Sequence, residues 1–215
     1  MSNWPIFITA PEAPIKTINK ALLHLTDYEF NCPPQWTLIL TNPPPNPSTP
    51  SIPPLQMSEE PGESTLTATT NAFAAKSPHE IYTYLDDPTT QDLFRDAGLS
   101  ASNWLVIDQK GLEMETCLLA EYVSPEDRED EDWEGDGEGY RLCRIPWVKA
   151  WGMFCNLDIG NMGFEEWVNE ERGPVEGDFG AWDWVGPFEG EDMEDQEVRR
   201  KREEAVRRGV EGGWI

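Results

Sequence analysis

The stretch from Trp147 to Trp184 constrains the fold most, because it holds five of the ten tryptophans in the chain. Pro146 suits the start of a helix, and Gly160-Asn161 suits its end. Between them, apolar side chains recur at the spacing of one helical face, namely Trp147, Trp151, Phe154 and Cys155. The pattern therefore predicts a helix with a broad apolar face, and such a face must pack on another layer of structure.

A second, shorter helix is predicted from Met162 to Glu171. Asn161 has a side chain suited to capping its first turn, and Gly173-Pro174 is a strong stop signal. Its apolar edge would consist of Phe164, Trp167 and Val168. Two helices so close together need a sheet to cover.

Upstream segments supply that sheet, because they have the β-branched and aromatic composition of strands. They are Trp4 to Thr9, Gln35 to Leu40, Glu80 to Leu85, Trp104 to Asp108, Thr116 to Val123 and Tyr140 to Ile145. Helical patterns lie between some of them, from Ile15 to Leu25 and in TQDLFRDAG, which ends at Gly98. We therefore predict an α+β fold, with a mostly antiparallel sheet covered by the helices around Trp147 to Glu171.

Two segments interrupt this pattern. Thr41 to Ser64 contains eight prolines and is expected to be extended and disordered, either as a passive insert or as a ligand for a proline-binding domain. The loop at residues 124–139 carries nine carboxylates between Glu126 and Glu138, and such a density of like charge opposes compaction. We predict one α+β domain over residues 1–188, interrupted at 41–64 and 124–139, with a charged helical tail at 189–215.

The tail, Glu191 to Arg208, consists of strong helix formers with acids first and bases last. Few apolar residues accompany it, so it is expected to be mobile and exposed, and to end at Gly209. Its Arg199 to Arg202 run either is a nuclear import signal or pairs with neighbouring glutamates along the helix. Because signal-peptide and membrane-span patterns are absent, the expected location is cytoplasmic, or nuclear if the run is an import signal.

The net charge of −25, from 16 basic and 41 acidic residues, restricts the partners. So negative a surface repels phosphate backbones and anionic lipid, which argues against nucleic acid and membranes. A basic protein or a cationic ligand is the better partner, although the charge can also serve solubility alone. The sequence does not predict an oligomeric state.

The sequence contains no recognisable motif of catalytic or metal-binding side chains. His79-Glu80 matches the first two residues of a zinc-protease motif, but Thr83 occupies the position where the second histidine is required. His24 has no partner that the sequence identifies. The four cysteines lack the CxxC spacing of zinc sites and fit small buried hydrophobes. No catalytic residue and no cofactor is predicted.

The acidic loop resembles half of a calcium-binding loop. Its first, third, fifth and sixth positions would be Asp130, Asp132, Glu134 and Gly135. Position twelve, however, is Arg141 instead of the required glutamate, so a solvated run of charge is the simpler interpretation and no metal site is predicted.

Residues 156–167, NLDIGNMGFEEW, resemble a small α+β family of bacterial and fungal domains of unknown function, with a run like NLSIANMDFEEF near its C-terminal end. The matching positions are Asn156, Leu157, Ile159, Asn161, Met162, Phe164, Glu165 and Glu166. The differences include Gly160, Gly163 and Trp167. The resemblance extends over Ile81 to Trp182, through WLVID, CLLAEY and RLCRIPW. It implies a fold and no activity.

Tryptophans among carboxylates can form an aromatic cage for a cation, or they can simply fill the core. The candidate ligand or partner surface is Trp147, Trp151, Asn161, Glu165, Glu166, Trp167, Trp182 and Trp184. The leading hypothesis is a non-catalytic interaction or regulatory module with an acidic surface. The alternative is a ligand-binding protein or enzyme with a tryptophan-lined pocket, such as an accessory factor in fungal metabolism.

Overall fold

A six-stranded mixed sheet organises the chain in the computed structural model, which describes residues 3–55, 65–126, 139–169, 171–187 and 195–215. Its strands are β1 (Trp4–Ile8), β3 (Trp36–Leu38), β5 (Asn103–Ile107), β6 (Thr116–Tyr122), β7 (Tyr140–Pro146) and β8 (Trp182–Asp183), in the order β3-β1-β5-β6-β7-β8. A separate antiparallel pair joins β2 (Ala13–Pro14) and β4 (Thr65–Leu66).

The sheet is parallel at its flanks and antiparallel in the middle. β1 pairs in parallel with β3 and β5, and β8 pairs in parallel with β7. The antiparallel ladders, β5 with β6 and β6 with β7, hold four and seven residue pairs, against three or fewer in each parallel ladder. The predicted α+β class is confirmed.

Helices cover both faces of the sheet, because alternate side chains of each strand point to opposite sides. The helices are α1 (Ile15–His24), α2 (Pro78–Asp86), α3 (Pro88–Ala97), α4 (Gln109–Met114), α5 (Trp147–Asp158) and α6 (Gln196–Glu211). Ile6 and Ile8 share a buried cluster with α1 and α5, whereas Phe7 shares one with α2 and α3. The helix predicted at Trp147 is confirmed, and it covers one face only.

The strand predicted at Glu80 to Leu85 is wrong, since these residues form helix α2. The Ser77 side chain accepts a hydrogen bond from the backbone N–H of Glu80, and the Glu80 carboxylate accepts one from the backbone N–H of Ser77. With Pro78 at the first helical position, this capping box starts a helix despite the strand-like composition.

The second helix predicted after α5 is also wrong. Only a 3₁₀ turn forms, Phe164–Trp167, and Val168 is extended and bridges to Trp184. Asn161 does not cap the turn; instead the Glu166 carboxylate accepts from the backbone N–H of Gly163 at 2.9 Å.

Residues 41–55 of the proline-rich segment pack along the outer edge of β3, so the expectation of disorder is wrong for them. The Ser51 backbone N–H donates to the Trp36 carbonyl at 2.7 Å, and its hydroxyl accepts from the Leu38 N–H at 3.0 Å. Ser48 is buried and donates to the Ala97 carbonyl at 2.7 Å. Proline lacks the N–H that extends a ladder, so this segment covers an edge strand without creating another. Residues 56–64 lie outside the described residues.

The tail at residues 195–215 packs against α1, so the prediction of a mobile tail is wrong for this part. Asn19 donates to the Trp214 carbonyl at 2.8 Å, and the buried Arg202 lies over the Tyr28 ring at 5.6 Å. Helix α6 continues past Gly209 to Glu211, because the C-terminal residues fold back onto it. A Cβ at Gly209 would lie 2.8 Å from the Ile215 side chain, so glycine permits this close approach.

The described helices are all too short or too polar to cross a lipid bilayer. Most of the acidic loop, residues 127–138, lies outside the described residues, and with it the calcium-loop candidates Asp130, Asp132, Glu134 and Gly135.

Candidate functional site

Two of the candidate tryptophans are core residues. Trp147 is 1% exposed at the start of α5, where its ring stacks on His24 with 6.2 Å between centroids. Trp167 is 6% exposed, and its carbonyl accepts from the backbone N–H groups of Val185 and Gly186. Both belong to the buried cluster that α1 and α5 form on the sheet. They stabilise the fold and are not accessible to a ligand.

Trp182 and Trp184 are half-buried and pack against the same cluster. Trp182 pairs with Cys143 in the β7–β8 ladder, and the Lys149 ammonium lies 6.0 Å from the Trp184 ring. These two side chains complete the edge of the sheet beside β7. Four of the five tryptophans proposed to line a pocket therefore lie in the core or pack at its edge.

Trp151, the fifth, belongs to an aromatic cluster at the β3 end of the sheet. Its ring centroid lies 6.4 Å from that of Trp4, which in turn lies 5.0 Å from Trp36 and 4.6 Å from Phe154. Trp36 also contacts Phe154 edge-on at 4.9 Å, and its indole N–H donates to the Leu25 carbonyl at 2.7 Å. The sequence analysis missed this cluster, because Trp4 and Trp36 are distant from Trp151 along the chain.

A groove opens beside Trp151, between the end of α1 and the proline-rich segment. We call it the aromatic groove, and its volume is about 40 Å³. Its lining residues are Leu22, Thr26, Asp27, Cys32, Pro33, Pro34, Gln35, Trp36, Ser51, Ile52, Pro53 and Trp151. Two large apolar side chains stand exposed at it, Phe30 at 64% and Ile52 at 60%, and the Phe30 ring lies 5.8 Å from that of Trp151. Contiguous exposed apolar surface of this kind is typical of binding sites.

The polar candidates lie on the turn after α5. Asn161 is exposed and donates to the Asn156 side chain at 2.7 Å, which in turn donates to the Gly152 carbonyl. Burial alone would raise the pKa of Glu165, but a backbone hydrogen bond and the ion pair with Arg141 lower it below its usual value. These contacts build the connection between α5 and the 3₁₀ turn, so the run that carries the family resemblance has a structural role here.

A buried ion-pair cluster that the sequence analysis missed links three elements through Arg144. Its guanidinium donates to both carboxylate oxygens of Asp108 at 3.1 and 2.7 Å, and to both of Asp178 at 2.6 and 2.7 Å. Asp108 also caps α4 by accepting from the Gly111 N–H at 2.7 Å. Lys110, which lies at the surface, forms an ion pair with Asp178 at 2.8 Å. An arginine inside the strand pattern YRLCRI was the one sequence signal for this cluster.

Hydrogen bonds within the cluster favour the charged forms of Arg144 and Asp178. Burial acts to lower the pKa of Arg144, but hydrogen bonds from it to Asp178 and Asp108 hold that pKa above its ordinary value. Burial likewise acts to raise the pKa of Asp178, and hydrogen bonds from Arg144 and Lys110 lower it instead. Since each donor and acceptor is paired within the protein, the cluster fixes the loop before β8 to the sheet.

Asp178 should give the chain a specific acid sensitivity. Its pKa is lower in the folded than in the unfolded state, so its contribution is complete above about pH 4 and is lost as pH falls through the folded pKa. We therefore expect the free energy of unfolding of Asp178→Asn to fall less steeply below pH 4 than that of the natural chain, in urea titrations at pH 5 to 2. Asp96→Asn, at an exposed carboxylate, should retain the natural slope. Equal slopes in all three chains would refute this role.

The cysteines and histidines do not form a reactive group. Burial raises the pKa of the Cys117 and Cys143 thiols, which makes them poor nucleophiles, and all four cysteines are free. His24 stacks on Trp147, and His79 lies beside Tyr82 and Tyr140. Within the described ranges, no three His, Cys, Asp or Glu side chains converge as a metal site would require.

Comparisons with known protein families, with curated proteins and with solved structures found no match. The resemblance at residues 156–167 is therefore carried by the quoted positions alone, and it stays a prediction.

Proposed function

We propose that this chain is a non-catalytic interaction or regulatory module that binds a basic protein through its acidic surface. The observation that carries this proposal is how the charges are distributed. In the part of the chain that the structure describes, at least ten basic side chains form ion pairs with carboxylates of the chain itself. They are Lys20, Lys76, Arg95, Lys110, Arg141, Arg144, Arg172, Lys201, Arg207 and Arg208. Positive charge is thus neutralised internally, and the excess of negative charge is left for the solvent and for partners.

This surplus favours association with cationic surfaces. A surface of one sign attracts an oppositely charged partner over about a Debye length and raises the association rate. The same field disfavours nucleic acid, which supports a protein partner. The burial of Trp147 and Trp167 supports an interaction module over a tryptophan-lined catalytic pocket.

An intracellular setting is part of the proposal. Four free cysteines, two of them buried, suit a reducing compartment. Within the Arg199–Arg202 run, Lys201 donates to the Tyr28 carbonyl and Arg202 is buried over the Tyr28 ring. An import receptor would have to detach both side chains, so we favour the cytoplasm over the nucleus.

The test is a pull-down from a lysate of the source cells, with partners identified by mass spectrometry. The natural chain is compared with one in which the nine carboxylates between Glu126 and Glu138 are changed to their amides. A matched control loses nine exposed carboxylates elsewhere: Glu12, Asp86, Asp92, Asp96, Glu113, Glu115, Glu171, Glu176 and Glu203. We expect the natural chain to recover a basic protein. We expect the loop variant to recover less of that protein than the matched control does. Recovery of no basic protein, or equal recovery by all three chains, would contradict the proposal.

A further inference from the structure

We propose that the aromatic groove docks a basic peptide segment of the partner, with an arginine or lysine side chain lying against Phe30, Trp151 and the proline walls. This inference rests on the proposed function and names the surface through which it would act. It assigns a purpose to a groove beside which the large apolar side chains Phe30 and Ile52 are exposed.

The charge around the aromatic groove complements a basic segment. Among the described residues that line it, Asp27 is acidic and none is a lysine or arginine. Asp158 accepts from the Trp4 indole N–H at 3.2 Å, and Trp4 is the ring neighbour of Trp151. Glu29, next to Phe30, is exposed.

Aromatic faces and prolines suit the chemistry of such a side chain. A guanidinium stacks on aromatic rings, and the aliphatic stem of arginine or lysine packs along apolar surface while its head stays at the acidic rim. A volume of about 40 Å³ is too small to enclose a typical metabolite. The groove therefore fits one side chain of a segment that continues across the surface.

The loop that presents Phe30 is already fixed in the free chain. The Asp27 carboxylate accepts from the backbone N–H groups of Glu29, Phe30 and Cys32, at 2.8, 3.0 and 2.8 Å. Helix α6 holds the same loop, because Lys201 donates to the Tyr28 carbonyl at 3.2 Å. A preformed loop lowers the entropy cost of binding.

The groove would act through side chains and not by adding a strand. Ser51 already occupies both the Trp36 carbonyl and the Leu38 N–H on the outer edge of β3. A peptide could therefore pair with this edge only by displacing the proline-rich segment, which leaves side-chain recognition as the simpler mode.

The experiment uses the full chain and a fluorescein-labelled peptide of alternating arginine and leucine, followed by fluorescence anisotropy. Phe30→Ala should weaken binding about 5- to 30-fold, as expected for an aromatic contact at the centre of an interface. Asp158→Asn should weaken it about two- to fivefold at low salt, since exposed charge pairs contribute little each. The matched controls are Met114→Ala, at a side chain 61% exposed on α4, and Asp96→Asn. Both should bind as the natural chain does.

The outcomes separate the groove from the acidic surface as a whole. If the peptide binds and all four variants bind alike, the groove is not the docking site, although the proposed function stands. If Phe30→Ala weakens binding but an alternating glutamate and leucine peptide binds equally well, the groove selects apolar side chains without regard to charge, and a basic occupant is wrong. If the arginine peptide does not bind the natural chain, this inference is wrong, and the pull-down alone decides the proposed function.

Discussion

Replacing Arg144 with methionine should lower the free energy of unfolding by about 3–5 kcal/mol. The substitution leaves Asp108 and Asp178 buried without the cation that both contact. Asp178 would keep Lys110 and Asp108 would keep the Gly111 N–H, but both buried carboxylates would lose the guanidinium hydrogen bonds that replace their hydration. We expect the loss in urea denaturation at pH 7.

Arg172→Met is the matched control, because Arg172 also pairs with an aspartate, Asp183 at 3.0 Å, but its side chain is 72% exposed. Exposed pairs contribute about 0–1 kcal/mol, so this variant should be nearly neutral. Changing Asp108 and Asp178 to asparagine together with Arg144→Met should restore much of the stability, since it removes the unpaired charge as well. Equal losses for Arg144→Met and Arg172→Met would contradict the buried-cluster account.

Phe154→Ala should be the second severe change, with a loss of about 3–5 kcal/mol. Phe154 is 0% exposed, and its ring contacts both Trp4 and Trp36, so alanine would leave a cavity between two rigid indoles. Phe30→Ala deletes the same side chain where it is 64% exposed, and should change stability by about 0.5 kcal/mol or less. Both are measured by urea denaturation. A similar loss in the two variants would mean that Phe30 belongs to the core, and would remove the basis for a docking role.

Local sequence patterns predicted those helices and strands for which the apolar periodicity and the start and stop residues indicate the same structure. Helix α5 has a continuous apolar face, a proline at its start and a glycine after it, so its bounds follow from the residues. Helix α2 was mistaken for a strand because Ile81, Tyr82 and Tyr84 favour strands, whereas the capping box at Ser77 and Glu80 decides for a helix. The capping box outweighs the strand propensity of these three residues.

The contacts that tie the elements of the fold together depend on residues far apart in sequence. Arg144 meets Asp108 across 36 residues and Asp178 across 34, and nothing local specifies either pairing. Composition alone indicated disorder for the proline-rich segment, but Ser48 and Ser51 tie it to Ala97 and to β3. The tryptophan-rich stretch was correctly recognised as central, yet its rings divide between core and surface according to the sheet order, which the sequence does not show.

The buried clusters and the exposed side chains have different roles. The Arg144 cluster and the aromatic rings around Phe154 hold the layers together from inside. Exposed carboxylates such as Glu29, with Phe30 and Ile52 beside the aromatic groove, lie on the outside. The buried cation of Arg144 helps to hold the layers together, and the net charge of −25 is the basis of the proposed attraction for a basic partner.

The most direct test is the dissociation constant of the recovered basic partner, measured by titration calorimetry at 50 and 500 mM salt for the natural chain and the loop variant. The account predicts that higher salt weakens binding to the natural chain at least tenfold, because screening removes the attraction between opposite charges. It also predicts that the loop variant binds more weakly at low salt and depends less on salt. Binding that is unaffected both by salt and by neutralising the loop would contradict the central claim that the acidic surface recognises the partner.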